Sequence, residues 1–127
     1  LSSSAEERNV SISVSGAGFS VVGVRRLLQE VVYNLCDNAI KYNVPGGRVE
    51  IHAENDRLTV SDTGIGIPME HQDRIFERFY RVDKSHSKAT GGTGLGLSIV
   101  KHAAAYHNAK ITLDSIPGKG TTITIQF

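Results

Sequence analysis

Four polar residues recur on one side of a predicted helix: Glu30, Asn34, Asn38 and Lys41 follow one another at intervals of four, four and three residues. This spacing places them on one helix face. Asparagine is a poor interior helix former, but its amide oxygen can bind a hard cation such as Mg²⁺, which shares its other positions with water and phosphates. Lys41 could meet a phosphate as a point charge. A solvated helix face explains the same stripe, so both interpretations stay open.

A glycine loop follows a predicted strand at residues 62–68, DTGIGIP. Gly64 and Gly66 allow close backbone approach or a positive φ. The Asp62 carboxylate only accepts hydrogen bonds, which suits an exocyclic amino group such as that of adenine. When this loop is taken alone, a tight turn with an aspartate cap is the favoured interpretation.

The densest glycine cluster is GGTGLGLS at residues 91–98, and it runs into a predicted helix. Free N–H groups and the helix dipole make such a position a phosphate site without a charged side chain. A Walker-type loop is excluded because Leu97 follows Gly96 where lysine is required. A dinucleotide fingerprint is excluded because Leu97 also stands three residues after Gly94. A flexible hinge remains the alternative.

Residues 80–92, YRVDKSHSKATGG, lie between the two glycine motifs and predict a mobile loop. Arg81 begins this loop and could carry a positive charge toward a terminal phosphate. Arg81, like Arg74 and Arg78, could instead be a solvated charge, and the nearby aromatic residues could belong to the core. The five histidines lack metal-ligand spacing, and we interpret them as structural.

Hydrophobic periodicity predicts the elements that position these motifs. Period-two alternation indicates a half-buried strand over Val10–Val14, and spacing of three and four indicates a helix from Val24 to near Lys41. Residues 49–53 and 58–60 predict a hairpin with an Asn55-Asp56 turn. A short helical stretch is expected through Ile75 and Phe79, and a second long helix from Gly92–Gly96 to about His107. Two further strands, 110–114 and 121–127, flank a turn at 117–120, so a mixed sheet with helices on one face is expected.

Composition excludes several classes of protein. The 127 residues fit one domain, and 14 Lys and Arg against 13 Asp and Glu argue against a polybasic nucleic-acid module. The single cysteine, Cys36, excludes an internal disulfide and fits a reducing compartment. No apolar run approaches the roughly 20 residues of a membrane span.

Taken together and in their order along the chain, the motifs resemble those of the ATP-binding catalytic domain of bacterial sensor histidine kinases, in the GHKL ATPase superfamily. The resemblance extends from about Leu27 to Phe127. It rests on five segments: NLCDNAIKY at 34–42, DTGIGIP at 62–68, IFERFYRVD at 75–83, GGTGLGLSIVK at 91–101 and GKGTTITI at 118–125. The implied fold is an α/β two-layer sandwich, with a mixed, mostly antiparallel sheet and about three helices on one face.

The resemblance implies ATP and Mg²⁺ as cofactors. It makes Asn38 the metal ligand, assisted by Asn34, with Lys41 near the phosphates. Tyr42 would lie against adenine, and Asp62 would accept a hydrogen bond from its amino group.

The resemblance also assigns the remaining site residues. Gly64 and Gly66 would shape the adenine pocket, with Ile67 and Thr122 also in contact with the nucleotide. The phosphates would be held, beneath a lid of residues 80–92, by Gly92, Thr93, Gly94, Leu95, Gly96 and Leu97. Arg81 would contact the terminal phosphates and complete the catalytic set of Asn34, Asn38, Lys41 and Arg81.

One position separates branches of the superfamily. In ATP-hydrolysing relatives a glutamate stands four residues before the magnesium asparagine and activates water, whereas here that residue is Asn34. We therefore expect phosphoryl transfer to a protein acceptor, which requires positioning and charge neutralisation more than a strong base. The alternatives are a GHKL hydrolase, an anti-sigma-type serine kinase and a module that senses ATP without catalysis.

The resemblance also implies partners and location. No histidine of the chain precedes an acidic residue, as the family's phosphoacceptor motif requires, so we expect the acceptor on a separate dimerisation domain. A response regulator would act downstream, and no nucleic-acid or direct membrane contact is expected. The fragment is expected to be a monomer and the cytoplasmic portion of a dimeric, membrane-anchored kinase.

Overall fold

A computed structural model describes residues 2–78, 80 and 96–127. These residues form three α-helices, five strands and one short 3-10 helix. In chain order they are α1 (Ser2–Glu7), β1 (Ser11–Ser15), α2 (Arg25–Lys41), β2 (Arg48–Glu54), β3 (Arg57–Asp62), the 3-10 helix (Met69–His71), α3 (Gly96–Tyr106), β4 (Lys110–Ile116) and β5 (Gly120–Gln126). In this part of the chain, no helix has the length and apolar character needed to cross a bilayer.

The five strands form one mixed sheet in the order β1-β2-β3-β5-β4. β1 pairs in parallel with β2, because the chain crosses between them through α2. The other three pairings are antiparallel. The predicted mixed, mostly antiparallel sheet is confirmed.

The helix-facing side of the sheet is built from cross-strand rows. Two apolar rows on β3, β5 and β4 are followed by one polar row at the end of the strands. The rows are Leu58–Ile125–Ile111, Val60–Ile123–Leu113 and Asp62–Thr121–Ser115. Each row is two residues from the next along each strand, so all three lie on one face of the pleat.

Helices α2 and α3 cover the apolar rows. α2 buries Val31, Leu35 and Ile40 against the sheet, and α3 contributes Val100 to the same core. Ala103 and Ala104 face this core with minimal side-chain bulk, and both are almost fully buried. The predicted layer of helices on one face of the sheet is therefore confirmed, and the bounds of α2 match the predicted helix from Val24 to near Lys41.

The predicted β2–β3 hairpin forms with the predicted turn. Asn55 and Asp56 have φ angles of 53° and 60°, as the two central residues of a type I′ turn require. Asparagine and aspartate tolerate this left-handed conformation better than most residues, so the turn residues fix the register of the two strands.

The structure differs from the sequence-based expectations at three places. β1 forms as predicted, but Val14 is 74% exposed, because β1 is an edge strand and the helices do not cover that end of it. α1 was not anticipated, since among its described side chains only Ala5 joins the core. The helical stretch expected through Ile75 is one 3-10 turn followed by further turns, with i to i−3 hydrogen bonds from Arg74 to His71 and from Glu77 to Arg74. The end of that expected stretch, Phe79, lies outside the described residues.

Candidate functional site

Asp62 ends β3 in the polar row, beside the glycine loop. Its Oδ1 accepts hydrogen bonds from the backbone N–H of Gly64 at 2.9 Å and of Thr121 at 3.2 Å. Among the described residues, Oδ2 accepts no hydrogen bond. Burial raises the pKa of the carboxyl, and the two backbone hydrogen bonds oppose that shift. Asp62 is half-buried, and its Oδ2 presents an acceptor that the described residues leave unused.

The glycine loop packs between the end of α2 and the β4–β5 turn. The Ile65 N–H donates to the Tyr42 carbonyl oxygen at 3.1 Å, and a Cβ at Gly64 would collide with that same oxygen. Gly66 has a φ of +72°, and a Cβ there would collide with the Ile116 carbonyl oxygen. The two glycines are thus required by close backbone approach on both sides of the loop. A tight turn with an aspartate cap would not by itself require these contacts with two other segments.

Ile67 closes the loop through its backbone. Its N–H donates to Ser115 Oγ at 2.8 Å, and Gln72 Nε2 donates to its carbonyl oxygen at 2.8 Å. Ser115 and Gln72 were not singled out from the sequence. Neither belongs to a recognised motif, and the contacts that join Ser115 to Ile67 and to Gln72 link segments 48 and 43 positions apart.

The two threonines of the closing motif lie on opposite faces of β5. Thr122 Oγ1 is 2.9 Å from Ser61 Oγ, on the face away from the helices. Thr121 is almost fully buried in the polar row beside Asp62. The structure therefore does not bring the predicted Thr122 side chain to the Asp62 site, and Thr121 is the threonine at that position.

The polar stripe of α2 is half-buried along its length, unlike a fully solvated face. Asn34 Nδ2 donates to the Glu30 carbonyl oxygen one turn earlier, at 2.7 Å. Asn34 Oδ1 points to α3, since a Cβ built on Gly96 would lie 3.2 Å from it. Asn34 therefore lies where α2 meets the start of α3. The second glycine motif enters the described part of the chain at this point, with Gly96.

Asn38 and Lys41 lie further along the same face of α2. Among the described residues, the Asn38 side chain has no hydrogen bond or ion pair, so its amide oxygen can accept a ligand. Lys41 Nζ forms an ion pair with Asp37 Oδ2 at 3.0 Å. The Lys41 side chain remains 26% exposed, and the short pair holds the ammonium beside α2.

Several predicted positions lie outside the described residues. These are the lid at 81–92 with its Arg81, and the phosphate-loop positions Gly92, Thr93, Gly94 and Leu95. Gly96 and Leu97 are described, and both are half-buried at the start of α3. The Arg74 guanidinium lies 4.5 Å from the centroid of the Tyr80 ring. Arg74 also donates to Glu77 at 2.7 Å and its side chain is 59% exposed, so it is a solvated surface charge in an ion pair.

The donor set fits a hard cation held jointly with a ligand. In the ranges that the structure describes, no group of three or more His, Cys, Asp or Glu side chains could hold a metal by itself. A Mg²⁺ ion needs few protein ligands when phosphates and water complete its shell. The amide oxygen of Asn38, which has no partner among the described residues, suits that arrangement.

The fold is an α/β sandwich, and comparison with known proteins gives its family. Residues 23–127 match the family described as "Histidine kinase-, DNA gyrase B-, and HSP90-like ATPase". The chain belongs to this family of ATP-binding domains. The sequence prediction of the catalytic ATP-binding domain of a sensor histidine kinase, including its GHKL fold, is confirmed.

Two of the similar proteins are named as sensor histidine kinases. The sensor-like histidine kinase SenX3 of Mycolicibacterium smegmatis is 47% identical over 97% of this chain and 33% of its own length. The mycobacterial sensor histidine kinase MprB superposes with a TM-score of 0.81 at 31% identity, covering 98% of this chain and 87% of that one. Full-length ShkA in complex with AMPPNP superposes with a TM-score of 0.77 at 26% identity, covering 98% of this chain and 26% of that one. The chain thus spans between 17% and 33% of the length of these and other similar curated proteins.

Proposed function

We propose that this domain binds Mg²⁺-ATP and transfers the γ-phosphoryl group to a histidine on a separate phosphoacceptor domain, as part of two-component signalling. The observation that carries the proposal is the Asp62 carboxylate, which uses Oδ1 for two backbone hydrogen bonds and leaves Oδ2 without a described partner. A half-buried acceptor that the described residues leave unused, beside a glycine loop, matches the exocyclic amino group of adenine. Family membership supports the same ligand.

The base end of the site would be formed by the loop and the end of α2. Gly64 and Gly66 keep the backbone close enough for a flat base to lie against it. Tyr42 would cover one side of the base, and Ile67 would line the pocket from the end of the loop. Thr121, rather than Thr122, supports recognition next to Asp62, because it lies in the same row of the sheet.

The phosphate end would be formed by α2 and the start of α3. Asn38 would bind Mg²⁺ through its amide oxygen, with Asn34 beside it and Lys41 near the phosphates. When bound, the ion neutralises phosphate charge during transfer. The N–H groups of 92–97 would bind phosphate oxygens at the helix start, and Arg81 would reach the terminal phosphate from a lid at 80–92.

The identity of residue 34, four positions before Asn38 on α2, favours phosphoryl transfer over ATP hydrolysis. Asn34 stands one turn earlier, and its Nδ2 is held by the Glu30 carbonyl oxygen. An amide cannot act as a general base for water. An acceptor imidazole is itself nucleophilic, so a resident base contributes little to attack on the γ-phosphorus.

The partners follow from this chemistry. The sensor-like histidine kinase SenX3 is about three times as long as the matched segment, which supports a phosphoacceptor and dimerisation domain elsewhere in the full protein. A response regulator would receive the phosphoryl group next. ATP as substrate supports a cytoplasmic position for this portion of a membrane-anchored kinase.

The test is ATP binding measured by calorimetry with and without Mg²⁺, comparing the parent with Asn38→Ala. We expect the variant to lose about tenfold or more of the affinity gained from Mg²⁺, because the metal loses a protein ligand. Gln29→Ala, an exposed change on the same helix, is the matched control and should keep the full gain. An unchanged Mg²⁺-dependent gain in Asn38→Ala contradicts the assigned metal role.

A further inference from the structure

Ser115 lies at the end of β4 in the polar row of the sheet. It pairs with Thr121 across β4 and β5, and Thr121 pairs with Asp62 across β5 and β3. Ser115 is half-buried, whereas its neighbours Asp114 and Ile116 are exposed. Its hydroxyl is therefore directed toward the interior beside the candidate base site.

The Ser115 hydroxyl joins two segments that border Asp62. It accepts a hydrogen bond from the Ile67 N–H at 2.8 Å, at the end of the glycine loop. It also lies 2.8 Å from Thr121 Oγ1 and 3.2 Å from the Gly120 carbonyl oxygen, and its single hydrogen can be directed to either oxygen. Gln72 supports the same junction, because its Nε2 donates to both the Ile67 and Ser115 carbonyl oxygens.

The number of hydrogens on the Ser115 hydroxyl limits which hydrogen bonds the Thr121 hydroxyl can form. A serine hydroxyl has one hydrogen to donate and two lone pairs. When that hydrogen points to the Gly120 carbonyl oxygen, the Thr121 hydroxyl donates to Ser115. When it points to Thr121 instead, the Thr121 hydrogen is free for another acceptor. Ser115 thus determines whether Thr121 offers a donor or an acceptor next to Asp62.

We propose that Ser115 is a positioning residue for base recognition, acting without touching the nucleotide. It sets the direction of the Thr121 hydroxyl and holds the Ile67 end of the glycine loop against the β4–β5 hairpin. Both effects fix the surroundings of the Asp62 carboxylate, whose Oδ1 already accepts the Thr121 N–H. The inference rests on the proposed function, in which Asp62 binds the amino group of adenine.

The test measures binding of two nucleotides, ATP and purine riboside triphosphate, which lacks the 6-amino group. In the parent, we expect ATP to bind more tightly. In Ser115→Ala, we expect ATP affinity to fall about five- to tenfold, the usual effect of one lost hydrogen-bonded network partner. Binding of the analogue should fall less, so discrimination between the two nucleotides decreases. Ser13→Ala, an exposed change on β1, should leave both affinities unchanged.

The outcomes separate the two ideas. A parent that binds neither nucleotide overturns the proposed function and this inference with it. A parent that binds ATP, together with Ser115→Ala losing equal affinity for both nucleotides or none for either, overturns the inference alone. Ser115→Thr retains the hydroxyl and serves if the alanine variant does not fold. Retained discrimination in Ser115→Thr supports the inference, and its loss in a folded protein overturns it.

Discussion

At the scale of single residues, the Asp62 carboxylate divides its two oxygens between structure and ligand. Oδ1 holds the Gly64 and Thr121 backbones, and Oδ2 accepts nothing from the described residues. Burial raises the pKa of this carboxyl, which means that its ionised form costs folding free energy. A site that keeps such a group has a use for the charge other than stability.

Asp62→Asn should abolish detectable ATP binding while the domain stays folded. Asparagine retains an oxygen for the two backbone N–H groups, but its Nδ2 replaces the acceptor that would meet the adenine amino group. At neutral pH its thermal midpoint should equal or exceed that of the parent, because a buried charge is removed. Calorimetry measures the affinity and circular dichroism the midpoint. Asp114→Asn, at an exposed position, should change neither.

The pH dependence has a definite sign. A carboxyl whose folded pKa is raised destabilises the folded state at pH values above that pKa. This cost is relieved as the pH falls through the folded pKa, and is absent below the ordinary value of about 3.9 for the unfolded chain. The stability advantage of Asp62→Asn over the parent should therefore decrease on acidification. An advantage that grows on acidification would contradict the raised pKa.

At the scale of elements, the glycine loop depends on what packs against it as well as on its own conformation. Gly66 and Gly46 both have positive φ, at +72° and +82°. A Cβ at Gly66 would collide with the Ile116 carbonyl oxygen, whereas a Cβ at Gly46 would meet nothing within 4 Å. Comparing substitutions at these two glycines therefore separates the free-energy cost of backbone strain from the cost of steric contact.

Gly66→Ala should lower the free energy of unfolding by clearly more than Gly46→Ala does. Gly46→Ala should cost about 1 kcal/mol, the usual effect of a left-handed alanine. Gly66→Ala carries the same strain and also displaces the loop from the β4–β5 turn, so it should weaken ATP binding too. Chemical denaturation measures the difference. Equal losses in the two variants would show that packing on Ile116 contributes nothing.

Local sequence patterns predicted most of the helices and strands. They did not predict the exposure of one edge-strand residue or the presence of one very short helix. The bounds of α2 and the I′ turn at Asn55-Asp56 follow from the period of the apolar residues and from turn chemistry. Val14 was expected to be half-buried, but an edge strand lacks the helix cover that a central strand has. α1 spans only Ser2–Glu7, too short for a helical period to stand out.

At the scale of the whole molecule, histidines found in the described residues have structural partners or lie exposed. His107 accepts the Val24 N–H at Nε2 and donates from Nδ1 to the Ala103 carbonyl oxygen. His52 bonds Ser15, and His71 bonds Tyr80. His102 is exposed, but alanine follows it. His86 lies outside the described residues, and serine follows it.

The chain should therefore bind ATP without phosphorylating itself. Incubation with γ-labelled ATP and Mg²⁺ should leave no acid-labile phosphate on this chain, and phosphate release should be slow because Asn34 cannot activate water. Addition of a phosphoacceptor domain from a sensor kinase should produce acid-labile label on that domain. Stable label on a histidine of this chain would contradict a separate acceptor, and rapid phosphate release would favour the hydrolase.

The sequence by itself determined the family, the types and order of most elements, and the motifs that carry Asn34, Asn38 and Asp62. These features are local, because they depend on residue spacing along one helix, strand or turn. Only the tertiary structure decided that Thr121, rather than Thr122, stands beside Asp62, and that Ser115 joins them. Asp62 and Thr121 are 59 positions apart, and their contact depends on strand register. A shift of one residue in that register reverses which side chains face the site.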